Sequence, residues 1–232
     1  MFAMLAALVS GCGADASAPT ATSVQKSATA ESSTATTASG AVRYLAIGDS
    51  LTQGVGAPDE ATGSFPALLA DRWRADGCDV ELLNAGVSGS TVEQLISEQL
   101  PQLEPFQPTI VTFQSGGNDL VNTVPIDDYR KNVQTVLEAA TGSGARVVVF
   151  AQNEWFRAPS GLGYATPEQR EEFDAVLIEE AKAKGAEFAD LRPLYAQQAD
   201  ENLWVEDGIH PTPEAYDAWA SEMADLIGTP CG

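Results

Sequence analysis

The only histidine in the chain, His210, stands three residues after Asp207 in the segment Val205-Glu206-Asp207-Gly208-Ile209-His210-Pro211. An imidazole moves protons near neutral pH, and a carboxylate bound to one ring nitrogen fixes the tautomer in which the other nitrogen can accept. Asp207 and His210 thus offer a base and its orienting acid within one short turn. A nucleophile lies far upstream. Ser50, in Gly48-Asp49-Ser50-Leu51, follows the apolar run Tyr44-Leu45-Ala46-Ile47, where a strand would give way to a loop. Serine, imidazole and carboxylate together perform acyl transfer through a covalent serine intermediate.

Residues so distant in sequence need a scaffold that brings them together. From residue 43 onward, short apolar runs alternate with helical patterns. The candidate strands are Arg43–Ile47, Val80–Asn84, Thr109–Gln114, Arg146–Ala151 and Glu187–Asp190. Phe65, Leu68, Leu69 and Trp73 recur at helical spacing after the first strand, as do Tyr129, Val133, Val136 and Leu137 after the third, and both stripes read as core. Thr166-Pro167 with Gln169 opens a helix that Gly185 closes, and Thr212-Pro213 opens one that Gly228 closes. Strands alternating with helices predict an α/β fold with a largely parallel sheet. Ligands in such sheets bind beyond the carboxyl ends of the strands. Ser50 follows strand one, Gly86 strand two and Asn118 strand three, while Asp207–His210 precedes the last helix, so all are predicted to converge on one rim.

Composition narrows the chemistry. The chain has 232 residues, 44% of them hydrophobic, enough for the core of one catalytic domain with appendages. Its 33 acidic residues against 12 Lys and Arg give a net charge of −21, which repels phosphate backbones and argues against nucleic acid as a partner. One histidine and three cysteines do not readily assemble a zinc or iron site, so no metal ligands are assigned. Neither a Walker loop nor a Gly-x-Gly-x-x-Gly turn is present, and no cofactor is implied. The Gly-x-Ser-x-Gly elbow of α/β-hydrolases is missing as well.

Four segments match a family in the right order. Gly48-Asp49-Ser50-Leu51-Thr52, Asn84-Ala85-Gly86-Val87-Ser88-Gly89, Gly116-Gly117-Asn118-Asp119 and Asp207-Gly208-Ile209-His210-Pro211 resemble the four blocks of the GDSL, or SGNH, hydrolases. Gly63-Ser64-Phe65-Pro66-Ala67-Leu68-Leu69 resembles the branch that includes the bacterial periplasmic thioesterase and lysophospholipase. The resemblance implies a flavodoxin-like three-layer α/β/α fold with a mainly parallel five-stranded sheet. It also implies a Ser50–His210–Asp207 triad, with an oxyanion hole built from the backbone N–H groups of Ser50 and Gly86 and the side-chain amide of Asn118. Singly, these residues have structural readings too: Gly86 as a supplier of positive φ, Asn118-Asp119 as an Asx turn. The aromatic stretch after the fourth strand, with Trp155 and Phe156, reads either as a substrate wall or as core packing.

The N-terminal segment reads as an export signal. Residues 1–11 are mostly apolar and too short to span a bilayer, and Val9-Ser10-Gly11-Cys12 resembles a bacterial lipobox with Cys12 as the lipidated residue, although no Lys or Arg precedes the apolar run. An ordinary cleaved signal is the alternative. Residues 12–40, rich in Ala, Ser and Thr, cannot build a core and read as a tether, leaving 41–232 as the hydrolase domain. Export would leave Cys78 and Cys231 in an oxidising compartment, where they read as a disulfide or as two semi-buried thiols. The flavodoxin-like order implied by the resemblance makes the first and last helices neighbours and favours the bridge.

The expected protein is therefore an exported, membrane-anchored, monomeric serine esterase acting on short acyl or acetyl esters of glycans or small lipids. An acyltransferase to a sugar hydroxyl, a thioesterase or lysophospholipase, and a catalytically silent surface binding module are the alternatives.

Overall fold

A computed structural model describes residues 40–231. Along the chain run β1 (Val42–Gly48), α1 (Ser50–Gln53), α2 (Glu60–Gly63), α3 (Phe65–Ala75), β2 (Val80–Asn84), α4 (Val92–Glu98) and α5 (Leu103–Phe106). They are followed by β3 (Ile110–Gln114), α6 (Gly117–Val121), α7 (Ile126–Gly142), β4 (Arg146–Val149), α8 (Pro167–Lys184), β5 (Glu187–Phe188), α9 (Arg192–Asp200) and α10 (Pro213–Ile227). The five strands pair in the order β2-β1-β3-β4-β5, all parallel. This is the three-layer arrangement expected from the sequence.

The central strands are apolar throughout because both faces of the sheet are covered. In β1, alternate side chains serve opposite faces. Tyr44 and Ala46 pack with Phe65, Leu69 and Trp73 of α3, Tyr195 of α9 and Tyr216, Trp219 and Met223 of α10. Leu45 and Ile47 pack with Leu95 of α4, Val133 and Leu137 of α7 and Val176 and Leu177 of α8. The two helical stripes predicted after strands one and three are the buried faces of α3 and α7. Thr166 caps α8 with a reciprocal Gln169 box, and Gly185 ends it in the left-handed region at φ 73°. Thr212 accepts from Ala215 N–H to start α10, which stops before Gly228.

Three predicted strands are shorter than expected, β3 by the one residue before Ile110. β4 ends at Val149 and β5 holds only Glu187 and Phe188. Phe150 N–H still reaches the Phe113 carbonyl (3.2 Å), and past it the Gln114 side-chain amide, not a strand backbone, bonds the Ala151 carbonyl (3.2 Å). Ser50 also opens a turn of helix where a loop was expected.

Cys78, which precedes β2, is disulfide-bonded to Cys231 beyond α10, with Cα atoms 5.6 Å apart. The two helices meet alongside: Trp73 donates to the Gly228 carbonyl (3.1 Å) and Arg72 pairs with Asp217 (2.8 Å). The bridge sits before β2 begins, so it lies at the sheet end opposite Ser50. Closing a loop across a separation of 153 residues stabilises by about 5 kcal/mol in a chain-entropy estimate, a Tm change of roughly 10–20 °C. Reduction is accordingly expected to lower Tm by that order while leaving ester hydrolysis intact at low temperature. Two free thiols in the unfolded, unreduced protein would contradict this. The expected signal segment, Cys12 and the tether as far as residue 39 lie outside the described residues. Among the described residues, no helix is long and apolar enough to cross a membrane.

Candidate active site

β1 delivers the chain to the carboxyl rim at Gly48, and Asp49 turns it into α1. The Asp49 side chain accepts from Leu51 N–H (3.1 Å), so it acts as the N-cap and Ser50 becomes the first helical residue. A serine after an N-cap aspartate therefore starts a helix and does not enter a loop. Gln99 clamps the same turn, accepting from Gly48 N–H (2.9 Å) and donating to its carbonyl (2.8 Å). Nothing in the local sequence marks Gln99, because its role exists only across the fold.

His210 reaches this turn from the segment before α10. Its Nε2 lies 2.9 Å from Ser50 Oγ, and its Nδ1 lies 2.6 Å from Asp207 Oδ2. The other carboxylate oxygen accepts from Ile209 N–H (2.9 Å) and His210 N–H (3.0 Å), which folds the acid back onto its own turn. Partial burial would raise the Asp207 carboxyl, but the His210 and Ile209 N–H groups and the His210 ring outweigh it and hold the group below the usual aspartate range. Asp207 is thus kept as a carboxylate facing Nδ1. With Nδ1–H donating to that carboxylate, Nε2 is left as the acceptor for the Ser50 hydroxyl proton.

The expected donors are only partly brought together. Asn118 sits in the first turn of α6, and its side-chain amide donates one hydrogen to the Ser90 carbonyl (3.0 Å), which leaves a second for a ligand. Asp119 accepts from Val92 N–H (3.1 Å) and so holds the Ser90–Val92 turn against Asn118. It forms no Asx turn. Gly86 is a correction. Its N–H donates to Asn84 Oδ1 (3.0 Å), and it does not line the cavity beside Ser50. It has no positive φ either. A Cβ on Gly86 would stand 2.5 Å from Gln53 N, so its glycine identity serves the close approach to the end of α1. The glycine that borders the cavity is Gly89, at φ 84°, and among the described residues its N–H takes no hydrogen-bond partner.

The cavity holds about 160 Å³ and is bordered by Ser50, His210, Asn118, Gly89, Gln152 and Trp155, with Leu51, Val121 and Ile209 supplying apolar wall. Trp155 is buried and forms part of that wall. Phe156 is buried behind it in the core, edge-on to Trp155, and does not reach the cavity. Among the described residues, no group of three or more His, Cys, Asp or Glu could hold a metal ion.

Residues 46–218 match the model of the GDSL-like lipase/acylhydrolase family. The chain belongs to that family. It is 30% identical over 184 residues to an arylesterase of Vibrio mimicus, covering 78% of this chain and 85% of the relative. It is 28% identical over 193 residues to thioesterase 1/protease 1/lysophospholipase L1 of Escherichia coli K12, covering 82% and 85%. A solved structure of TesA superposes with a TM-score of 0.69 at 24% identity, covering 81% of this chain and 99% of the other. The protein is thus a GDSL/SGNH-type hydrolase of the esterase class.

Two buried carboxyls underlie the site of this GDSL hydrolase. Burial raises Asp49 to about 7, with Asp119 adding to the rise and the Leu51 N–H and Gln152 amide offsetting part of it. Burial likewise raises Asp119 to about 6 against the Val92 N–H. The folded protein therefore keeps protons that the unfolded chain, with carboxyls near pKa ~4, has already released. Native protein binds more protons than unfolded protein between about pH 4 and 7, so this contribution to stability falls as pH rises through that window. Tm is expected to be higher at pH 5 than at pH 8. Asp49→Asn keeps an acceptor for Leu51 N–H and removes one titration, so it should shrink that difference; an unchanged difference in the variant would count against the assignment.

Proposed function

We propose that the protein is an exported serine esterase that hydrolyses short acyl esters through an acyl-enzyme on Ser50. The observation that carries the reading is the unbroken Ser50–His210–Asp207 hydrogen-bond chain opening onto a cavity with an unengaged amide hydrogen on Asn118. His210 Nε2 takes the Ser50 proton as Oγ attacks the acyl carbonyl, and Asp207 balances the imidazolium that forms. Oxyanion charge falls to the N–H groups of Ser50 and Gly89 and the Asn118 amide. His210 then returns the proton to the leaving alcohol, and water repeats the cycle to release the acid. Asn118→Ala is expected to lower kcat by on the order of 10²–10³-fold with a much smaller change in KM, because the bond it removes strengthens only as charge develops. Equal loss in kcat and gain in KM would speak against that role.

Cavity size supports short acyl groups. A volume near 160 Å³ is close to that of a cavity of about 150 Å³ that holds a benzene-sized molecule, which supports a short acyl group beside Ser50. Acetyl esters of glycans and esters of small lipids both fit this limit. The apolar run of residues 1–11 and the Val9-Ser10-Gly11-Cys12 segment support export and lipidation at Cys12, with residues 12–40 as the tether to a membrane. A second reading, thioesterase or lysophospholipase action on long chains, draws support from Val121, an exposed apolar side chain on the cavity lining. A series of p-nitrophenyl esters from two to twelve carbons, run beside acetylated glycans, separates the two. kcat/KM is expected to peak at two to four carbons; a steady rise with chain length would overturn the short-acyl reading.

A further inference from the structure

We infer that Ser160, outside all four family segments, is a positioning residue that holds the catalytic acid turn in register with His210. This rests on the reading of Asp207 and His210 as acid and base. Ser160 Oγ donates to the Asp207 carbonyl (2.7 Å), and Ser160 N–H donates to the Gly208 carbonyl (2.8 Å). The remaining backbone hydrogen bonds of that turn are internal: Gly208 N–H to the Val205 carbonyl and Val205 N–H to the His210 carbonyl, both 2.9 Å. Among the described residues, Ser160 is the one outside 203–212 whose hydrogen bonds reach the backbone of Asp207 or Gly208. The fit is close, since a Cβ on Gly208 would stand 2.8 Å from Ser160 Oγ.

Such a brace works only if its own base is fixed. Gly161 packs with no side chain directly against the Trp155 carbonyl, and its N–H donates to the Ala158 carbonyl (2.9 Å). Arg157 pairs with Asp200 and with Glu154. Buried Arg170 of α8 pairs with Glu154 (3.1 Å) and Asp174 (2.9 Å) and donates to the Gln152 carbonyl (2.8 Å). The segment from Gln152 to Gly161 is thereby riveted to the core at one end, while Ser160 at the other grips a turn whose carboxylate side chain is 42% exposed. Without Ser160 the Asp207 turn would be restrained mainly by itself. An acid displaced by a fraction of an ångström orients the imidazole less well, so turnover suffers while ground-state ester binding in the Trp155-walled cavity does not.

The single histidine makes the test direct, because a far-downfield imidazole N–H proton resonance can come only from His210. Wild type, Ser160→Ala, Ser160→Thr, Asp207→Asn and the Ser160→Ala/Asp207→Asn double variant are compared for kcat and KM on p-nitrophenyl acetate and for that resonance. Ser160→Ala is expected to lower kcat between about tenfold and 10²-fold with KM nearly unchanged, and to weaken or shift the resonance, at a Tm showing the protein folded. Ser160→Thr, which restores the hydroxyl, should recover most of both. In the Asp207→Asn background, Ser160→Ala should cost little further, since the brace then holds no acid. Wild-type kcat and resonance in Ser160→Ala, or fully additive losses in the double variant, would overturn the inference. If Asp207→Asn itself kept full activity, the triad reading would fail instead, so the two failures are distinguishable.

Discussion

Ser50→Ala is expected to lower kcat for a short p-nitrophenyl ester by on the order of 10⁶-fold, the loss seen when a serine nucleophile is removed from an intact triad. The size follows from the role: Oγ is the atom that bonds to the acyl carbon, and no neighbouring group replaces it. What survives comes from binding and from the Asn118 and backbone donors, which still stabilise an oxyanion when water attacks directly. Alanine is a strong helix former, and Ser50 is the first residue of α1, so the fold and Tm should be nearly unchanged. A loss below about tenfold would place the chemistry elsewhere.

The second large effect is expected at His210. His210→Ala should cost about as much as Ser50→Ala, and the two together little more than either alone, because the residues act as a unit. Asp207→Asn should cost on the order of 10⁴-fold, since an amide at that position favours the wrong ring tautomer. Protonating the imidazole removes the acceptor that Ser50 needs, so in a profile measured from about pH 8 down to about pH 5 kcat/KM should fall on acidification. Asp207 does not produce that fall, because its hydrogen bonds keep it ionised below the usual range. A rate independent of pH across this interval, with chemistry limiting, would contradict an imidazole base.

The sheet and its main helices were legible because burial on both faces leaves continuous apolar runs, and because Thr-Pro starts and glycine stops mark α8 and α10. The candidates Ser50, Asp207 and His210, which the fold joins in one hydrogen-bonded chain, were legible too, since their types are scarce: one histidine, and one acid placed three residues before it. The glycine that borders the cavity was not. The segment Asn84-Ala85-Gly86-Val87-Ser88-Gly89 offers two glycines, and only the packed structure shows that Asn84 engages the Gly86 N–H while Gly89 reaches the cavity. Trp155 and Phe156, adjacent and alike in type, differ for the same reason: both pack in the core, and a tight turn brings only Trp155 to the cavity wall as well. Gln99, Asp119 and Ser160 act through long-range hydrogen bonds to backbone groups, which leave no local pattern in the chain.

A fluorophosphonate, which forms a covalent adduct with a serine only where a base has activated the hydroxyl, tests the proposed mechanism most directly. Intact mass and peptide mapping of the treated protein are expected to show one adduct, on Ser50, and none in Ser50→Ala or His210→Ala. Modification of another serine, or an undiminished adduct in the His210→Ala protein, would contradict the triad.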